Sequence, residues 1–341
     1  MTGSPPNEGK TPKRYNSCLD FIKGLACVFV VFMHCEFPGT FGTIVQAISR
    51  FCVPFFFMVS GYYCFNPERS LTWSDFKRKI THVGWIVIWS SLFYLAWLLI
   101  QHYLFGGKSI SITLPSIAAL LLLNLPIGIS SHLWFLFALL YVYVFYSLLV
   151  HFRITRIVYP LAICLFVVYF MLAQGGYFLG FDVPNCVYRN WLIEGFPFFA
   201  AGIWIHEHEA DIHLGEKQLI AIIVLSSFFC LLERYLMGRD FGVNLFTLPQ
   251  VFALFIYAIK NPDKHADTLS QRVGKSCSML VYVLHIFVWQ LLIKLYKALG
   301  INESITAGYF MPILVVVLSV VLALVINRIK DNRAVKSSIP S

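Results

Sequence analysis

Ionisable side chains inside long apolar runs are the first candidates for chemistry. The run Leu19-Asp-Phe-Ile-Lys-Gly-Leu-Ala-Cys-Val-Phe-Val-Val-Phe-Met-His carries Asp20, Lys23 and His34. At bilayer depth such groups cost several kcal/mol unless paired or hydrated, so each is a functional hypothesis. Asp20 and Lys23 stand three apart and can pair on one helix face. Lys23 and His34 stand eleven apart, about 16 Å along a helix, and share a face at different depths. An imidazole that titrates near neutrality suits proton transfer. A lysine that snorkels and a packed histidine would give the same pattern without chemistry.

Further along, Arg50 sits about two turns into the next apolar run, on the side toward which His34 lies. It is followed by Cys52-Val-Pro-Phe-Phe-Phe-Met-Val-Ser-Gly-Tyr. In that run Ser60-Gly61 suits close helix contact. His132-Leu-Trp134 opens a later run, where interfacial aromatics are the alternative. Arg189, Asn190 and Glu194 open another, and Asn190 and Glu194 share a face. Glu194 needs a partner, which Arg189, Arg50 or a histidine could provide. Tyr282 and His285 lie within a span near the C-terminus. The cluster His206-Glu-His-Glu-Ala-Asp-Ile-His213 has the residue types of a metal site without fixed ligand spacing, and reads as a solvated loop. The cysteines form no CxxC pair, so neither a metal site nor a redox dithiol is expected.

The elements that position these groups must be membrane helices. Of 341 residues, 58% are hydrophobic and 13% charged, about half the charge of a soluble domain. The net charge of +9 sits in short loops, where it orients helices and meets anionic head groups rather than nucleic acid. About 20 apolar residues cross a bilayer. Spans are expected near 18–37, 44–64, 82–104, 132–151, 156–174, 191–207, 217–236, 244–260, 277–298 and 308–329. The run 114–125 is too short to cross. If it dips in and returns, Lys10, Lys13, Arg14, Arg69, Lys77, Arg78, Lys79, Arg153, Arg156, Lys217 and the later loop cations all fall inside. The expected fold is an all-α polytopic bundle of ten spans and one re-entrant segment, with both termini cytoplasmic. The expected division is a tail over 1–16, a membrane domain over 17–330 and a tail over 331–341.

Four stretches, in order, resemble the acyltransferase 3 family of integral-membrane acyltransferases. They are Leu19-Asp-Phe-Ile-Lys-Gly-Leu-Ala with Lys23 and His34; Val53-Pro-Phe-Phe-Phe-Met-Val-Ser-Gly-Tyr; Phe196-Pro-Phe-Phe-Ala-Ala-Gly; and Leu280-Val-Tyr-Val-Leu-His285. His132-Leu-Trp-Phe-Leu is a weaker fifth. The resemblance implies acyl transfer, by default acetyl from acetyl-CoA, to a hydroxyl of a carbohydrate or lipid-linked glycan in a bacterial inner membrane. It places the family's basic-residue–x10–His motif on Lys23 and His34, with His34 catalytic. It also places a CoA-binding basic element on Lys77, Arg78, Lys79 and His82, where the family's paired arginines are not reproduced.

On this reading His34 is the general base, with Arg50 and Glu194 completing the catalytic set. Asp20, Lys23, Arg189, Asn190, His132, Trp134, Tyr282 and His285 are expected around the substrates. No metal is expected, and the partners are the bilayer, acyl-CoA, the glycan and a second copy in a homodimer. The rival reading is a transporter or flippase whose buried His, Arg and Glu form a pathway, although no internal repeat supports it.

Overall fold

The computed structural model describes residues 15–65, 72–107, 113–126, 130–300 and 305–337. Lys10, Lys13, Arg14 and Arg69 lie outside these. All regular structure among the described residues is helical. Eight helical segments are long and apolar enough to cross a membrane: Ser17–His34, Gly39–Tyr62, Trp73–Phe105, Ser131–His151, Thr155–Phe178, Glu216–Met237, Ser278–Ala298 and Gly308–Asn332. Each coincides with an expected span. The other two expected spans are shorter helical stretches, Thr247–Lys260 and a π turn Trp191–Gly195 running into Phe196–Glu207.

In chain order, the first group of helices is α1 Ser17–His34, α2 Gly39–Ile48, α3 Cys52–Tyr62, α4 Trp73–Phe105, α5 Leu114–Leu123, α6 Trp134–His151 and α7 Val158–Phe170. Two short pieces follow, α8 Gly176–Phe178 and α9 Asn185–Tyr188. The rest are α10 Phe196–Glu207, α11 Glu216–Met237, α12 Thr247–Lys260, α13 Leu269–Ser276, α14 Ser278–Ala298 and α15 Ile305–Ser337.

Local sequence explains several boundaries. Asn16 starts α1 by accepting the Leu19 N–H at 2.7 Å, an N-cap bond. Gly106, at φ 63°, ends α4 in the left-handed region, as such caps require. Pro197 has no N–H to offer the carbonyl one turn back. The helix opens there into the π turn that holds Glu194. The helix α5 has ten residues, about 15 Å, which is too short to cross a bilayer core.

Two crossings fix the centre of the bundle. At the first, α1 meets α13: a Cβ on Gly24 would fall 1.9 Å from the Ser270 carbonyl oxygen, and one on Gly274 would fall 1.8 Å from that of Asp20. At the second, α3 meets α10, where Gly61 abuts the Phe199 carbonyl and Gly202 abuts that of Met58. Backbones this close need glycine, the small-residue packing used where lipid supplies no hydrophobic drive between helices. Any side chain at these four positions would push α1 and α3 out of register with the groups they carry. The faces left exposed, such as Trp85, Trp89 and Leu92 on α4 and Val224, Leu225 and Phe228 on α11, are apolar and suit contact with lipid.

Candidate active site

Three imidazoles meet from three helical segments. His34 is the last residue of α1, His132 lies in the 3₁₀ turn Ser131–Leu133 that leads into α6, and His285 is in α14. Ring centres stand 5.2 Å apart for His34 and His285, 5.1 Å for His132 and His285, and 6.2 Å for His34 and His132. His285 and His132 are fully enclosed, while His34 is half-buried. The Nε2 atoms of His132 and His285 are buried without a hydrogen-bond partner. Buried polar atoms are rarely left so, and those that are often belong to functional sites.

Tyrosines hold this cluster in place. The Tyr282 hydroxyl donates to the His132 carbonyl, and its ring lies 5.6 Å from that of His132. The Tyr94 hydroxyl donates to the Val283 carbonyl at 2.6 Å and accepts the Phe287 N–H at 3.2 Å. Its ring meets His132 edge-on at 5.0 Å. With both hydroxyls committed, these rings are walls rather than proton carriers. No sequence pattern marked Tyr94, which is one aromatic residue among many in α4.

A cavity of about 210 Å³ lies along α1 and reaches Tyr282, whose ring neighbours those of His132 and His285, while the three imidazoles themselves lie outside its lining. Lys23, Cys27 and Val30 line it from α1, Ser60 from α3, and Met279 and Tyr282 from α14. Spacings of four and three put Lys23, Cys27 and Val30 on one helix face, and His34 continues that face by one more turn. Lys23 at the entrance pairs with Asp20 at 2.8 Å, and Asp20 also accepts the Tyr15 hydroxyl at 2.8 Å. Ser60 lines the wall while donating to the Phe56 carbonyl at 2.8 Å.

The basic element of α4 stands outside the cavity. Lys77, Arg78 and His82 are exposed, and Lys79 donates to the Tyr63 carbonyl at 2.9 Å, one turn beyond Ser60.

A second cluster gathers Arg50, Arg189, Glu194 and a residue the sequence did not single out, Asp240. Arg50 pairs with Asp240 and donates to Gln46 Oε1 at 3.0 Å. It also approaches the Met33 sulfur at 3.8 Å, next to His34. Arg189 Nε lies 3.7 Å from Glu194 Oε2, an ion pair too long for a hydrogen bond, and both atoms lack a hydrogen-bond partner. The Arg189 guanidinium sits 5.5 Å over Trp134 and presses on Gly242. The signal for Asp240 was a carboxylate bracketed by Gly238 and Gly242, both at positive φ, between two apolar runs.

Asn190 has a structural use. Its side-chain oxygen accepts the Leu192 and Ile193 N–H groups and its amide donates to the Val187 carbonyl at 2.7 Å, which caps the turn bearing Glu194. Asn124 ties the end of α5 to this region, accepting the Trp191 N–H at 2.8 Å and donating to the Trp134 carbonyl at 3.1 Å.

The histidine-rich loop is more ordered than a solvated loop. His206 stacks on Tyr62 at 4.2 Å and bonds the Tyr62 carbonyl through Nδ1, while Glu209 accepts the Tyr62 hydroxyl at 2.7 Å. Among the described residues no group of His, Cys, Asp or Glu is arranged to hold a metal ion.

A family model described as an acyltransferase domain matches residues 16–327. No curated protein and no solved structure matches the chain.

Proposed function

The chain belongs to this acyltransferase family, and from that premise we propose that it moves an acyl group, acetyl by default, from cytoplasmic acyl-CoA to a hydroxyl of a carbohydrate or lipid-linked glycan. Membership over nearly the whole chain and the apolar helices make it a membrane acyltransferase. The donor, the acceptor and the residue roles are our reading. One observation carries it: the cavity lined by Lys23, Cys27 and Val30 reaches Tyr282, whose ring neighbours two of the three imidazoles.

CoA is too charged to enter lipid, so its phosphates stay with Lys77, Arg78, Lys79 and His82 at the cytoplasmic surface. The uncharged pantetheine arm lies in the apolar cavity past Lys23, Cys27 and Val30, and the Asp20–Lys23 pair positions its entrance. The thioester carbonyl then faces His34. As the acceptor hydroxyl attacks that carbon, His34 takes its proton. The tetrahedral intermediate collapses, the C–S bond breaks, and the CoA thiolate recovers the proton from His34. Ester and free CoA leave, and the imidazole is neutral again.

Arg50, Arg189 and Glu194 have buried polar atoms without hydrogen bonds, which suits an acceptor rich in hydroxyls arriving from the other side. Trp134, beside Arg189, offers a flat face to a sugar ring. Arg50, which approaches Met33 beside His34, is the cation assigned to favour a developing oxyanion. The transporter reading needs a charged pathway, but these charges are already paired as Arg50–Asp240 and Arg189–Glu194.

The test is release of free CoA from acetyl-CoA by the purified protein with candidate glycans, together with mass detection of the acylated product. Substrate uptake coupled to protons or ions, with no CoA released, would overturn the proposal.

A further inference from the structure

The imidazole that completes the proton-transfer unit comes from the far end of the sequence. His285 Nδ1 lies 3.2 Å from the carbonyl of Val281, one turn earlier in α14. A carbonyl can only accept, so the shared hydrogen belongs to Nδ1. In the neutral ring this fixes the tautomer, leaving Nε2 as a bare acceptor. That Nε2 is buried and has no hydrogen-bond partner, in a residue with no exposed surface. Its ring neighbours are His34, His132 and Tyr282, and the Tyr282 hydroxyl already donates to the His132 carbonyl.

His34 is the neighbour with something to give. It is half-buried where His132 and His285 are enclosed, and it ends the helix face along which the cavity runs. Its ring centre is 5.2 Å from that of His285, with the planes tilted by 39°. An N–H···N bond of about 2.9 Å between two imidazoles meeting edge to edge puts their centres about 5 Å apart. His132 stands as close to His285, at 5.1 Å, but nearly perpendicular to it at 76°, and its Nδ1 already meets the Ser130 hydroxyl at 2.6 Å.

We propose that His285 is the positioning residue of His34: its Nε2 accepts the N–H of one His34 nitrogen and leaves the other nitrogen bare to take the acceptor's proton. This inference rests on the reading of His34 as the base. When His34 becomes an imidazolium, the same bond becomes charge-assisted and stronger. His285 then does for His34 what an orienting carboxylate does elsewhere, and gains no proton itself. Contacts of this kind are often long in a substrate-free site and tighten when substrates bind.

The test uses the full-length protein and two replacements. His285→Phe keeps the ring shape and removes the acceptor. It deletes the unpartnered Nε2 together with Nδ1 and its bond to the Val281 carbonyl, so thermal unfolding of each variant is measured beside its activity. His285→Gln keeps an accepting oxygen. The first readout is modification of His34 by diethyl pyrocarbonate, followed residue by residue by mass spectrometry across pH, which needs no acceptor. The His285→Phe change should move the pH midpoint of His34 modification by about one unit or more, while His285→Gln stays close to wild type. An unmoved midpoint in His285→Phe overturns the inference.

The second readout is CoA release from acetyl-CoA in membrane vesicles. There, kcat should fall roughly 10²-fold in His285→Phe with KM for acetyl-CoA unchanged, and His285→Gln should recover part of it. A His285→Phe enzyme with full kcat, beside an inactive His34→Ala enzyme, overturns the positioning role alone. CoA release that persists in His34→Ala overturns the reading of the reaction instead.

Discussion

His34 and His285 come from the first and the penultimate helices, yet their ring centres lie 5.2 Å apart. That contact joins two chain segments which each look like an ordinary apolar span with one stray histidine. It also sets the order in which the site can be tested, beginning with the imidazole that ends α1.

Replacing His34 by Ala should lower kcat by roughly 10²- to 10⁴-fold, the range for loss of a general base. The side chain is half-buried at a helix end, so the melting temperature in detergent should change little. Turnover close to wild type in a folded His34→Ala protein would remove this residue from the mechanism.

Filling the cavity should act on the donor alone. Val30→Trp puts a large ring into a space of about 210 Å³, in the path proposed for the pantetheine arm. Initial-rate kinetics should show KM for acyl-CoA rising by roughly tenfold or more, about 1.4 kcal/mol, with the acceptor KM unchanged. An unaffected donor KM would mean that the arm enters elsewhere.

Reversing the exposed cations should have a different signature. In Lys77→Glu with Arg78→Glu, donor KM should rise most at low ionic strength and approach wild type in high salt, where exposed charges are screened over about 3 Å at 1 M. A salt-independent effect would point to altered folding rather than lost phosphate attraction.

Asp240→Ala leaves Arg50 as a buried cation without its carboxylate. Breaking such a pair costs about 3–5 kcal/mol, and because Asp240 is 32% exposed the lower end is expected. The double variant Arg50→Met with Asp240→Leu should recover most of that stability in thermal unfolding while acceptor turnover stays low. Recovery of both would make the pair purely structural.

Two cysteines between spans should resist alkylation. Burial pushes the Cys35 and Cys64 thiols up to about 12, helped at Cys35 by the charge of Glu36 and opposed at Cys64 by Lys79. Only the thiolate reacts, so both should stay unlabelled by iodoacetamide at pH 8 in the folded protein. Their labelling should rise only as pH nears the raised values. Rapid labelling of either at pH 8 would show that its pocket opens.

The sequence determined the solvent, the helix class and the first helix of the site. Scarce charge and long apolar runs leave no fold but membrane helices, because lipid cannot hydrogen-bond a free backbone. Helical periodicity alone puts Lys23, Cys27, Val30 and His34 on one face of α1, and three-residue spacing makes Asp20 the partner of Lys23. Arg50, Glu194, His132 and His285 stood out for the same reason, as costly groups in apolar surroundings.

What faces what came from the tertiary structure. Nothing local could select Arg189 over Arg50 for Glu194, assign Asp240 to Arg50, or bring Tyr94 and His285 to His132. Those choices depend on helix crossings set by Gly24 against Ser270 and Gly61 against Phe199, contacts between segments far apart in the chain. Asn190 shows the limit most plainly. Its spacing put it on a face with Glu194, but its hydrogen bonds close the turn that carries the carboxylate, because a helix start has free N–H groups to satisfy.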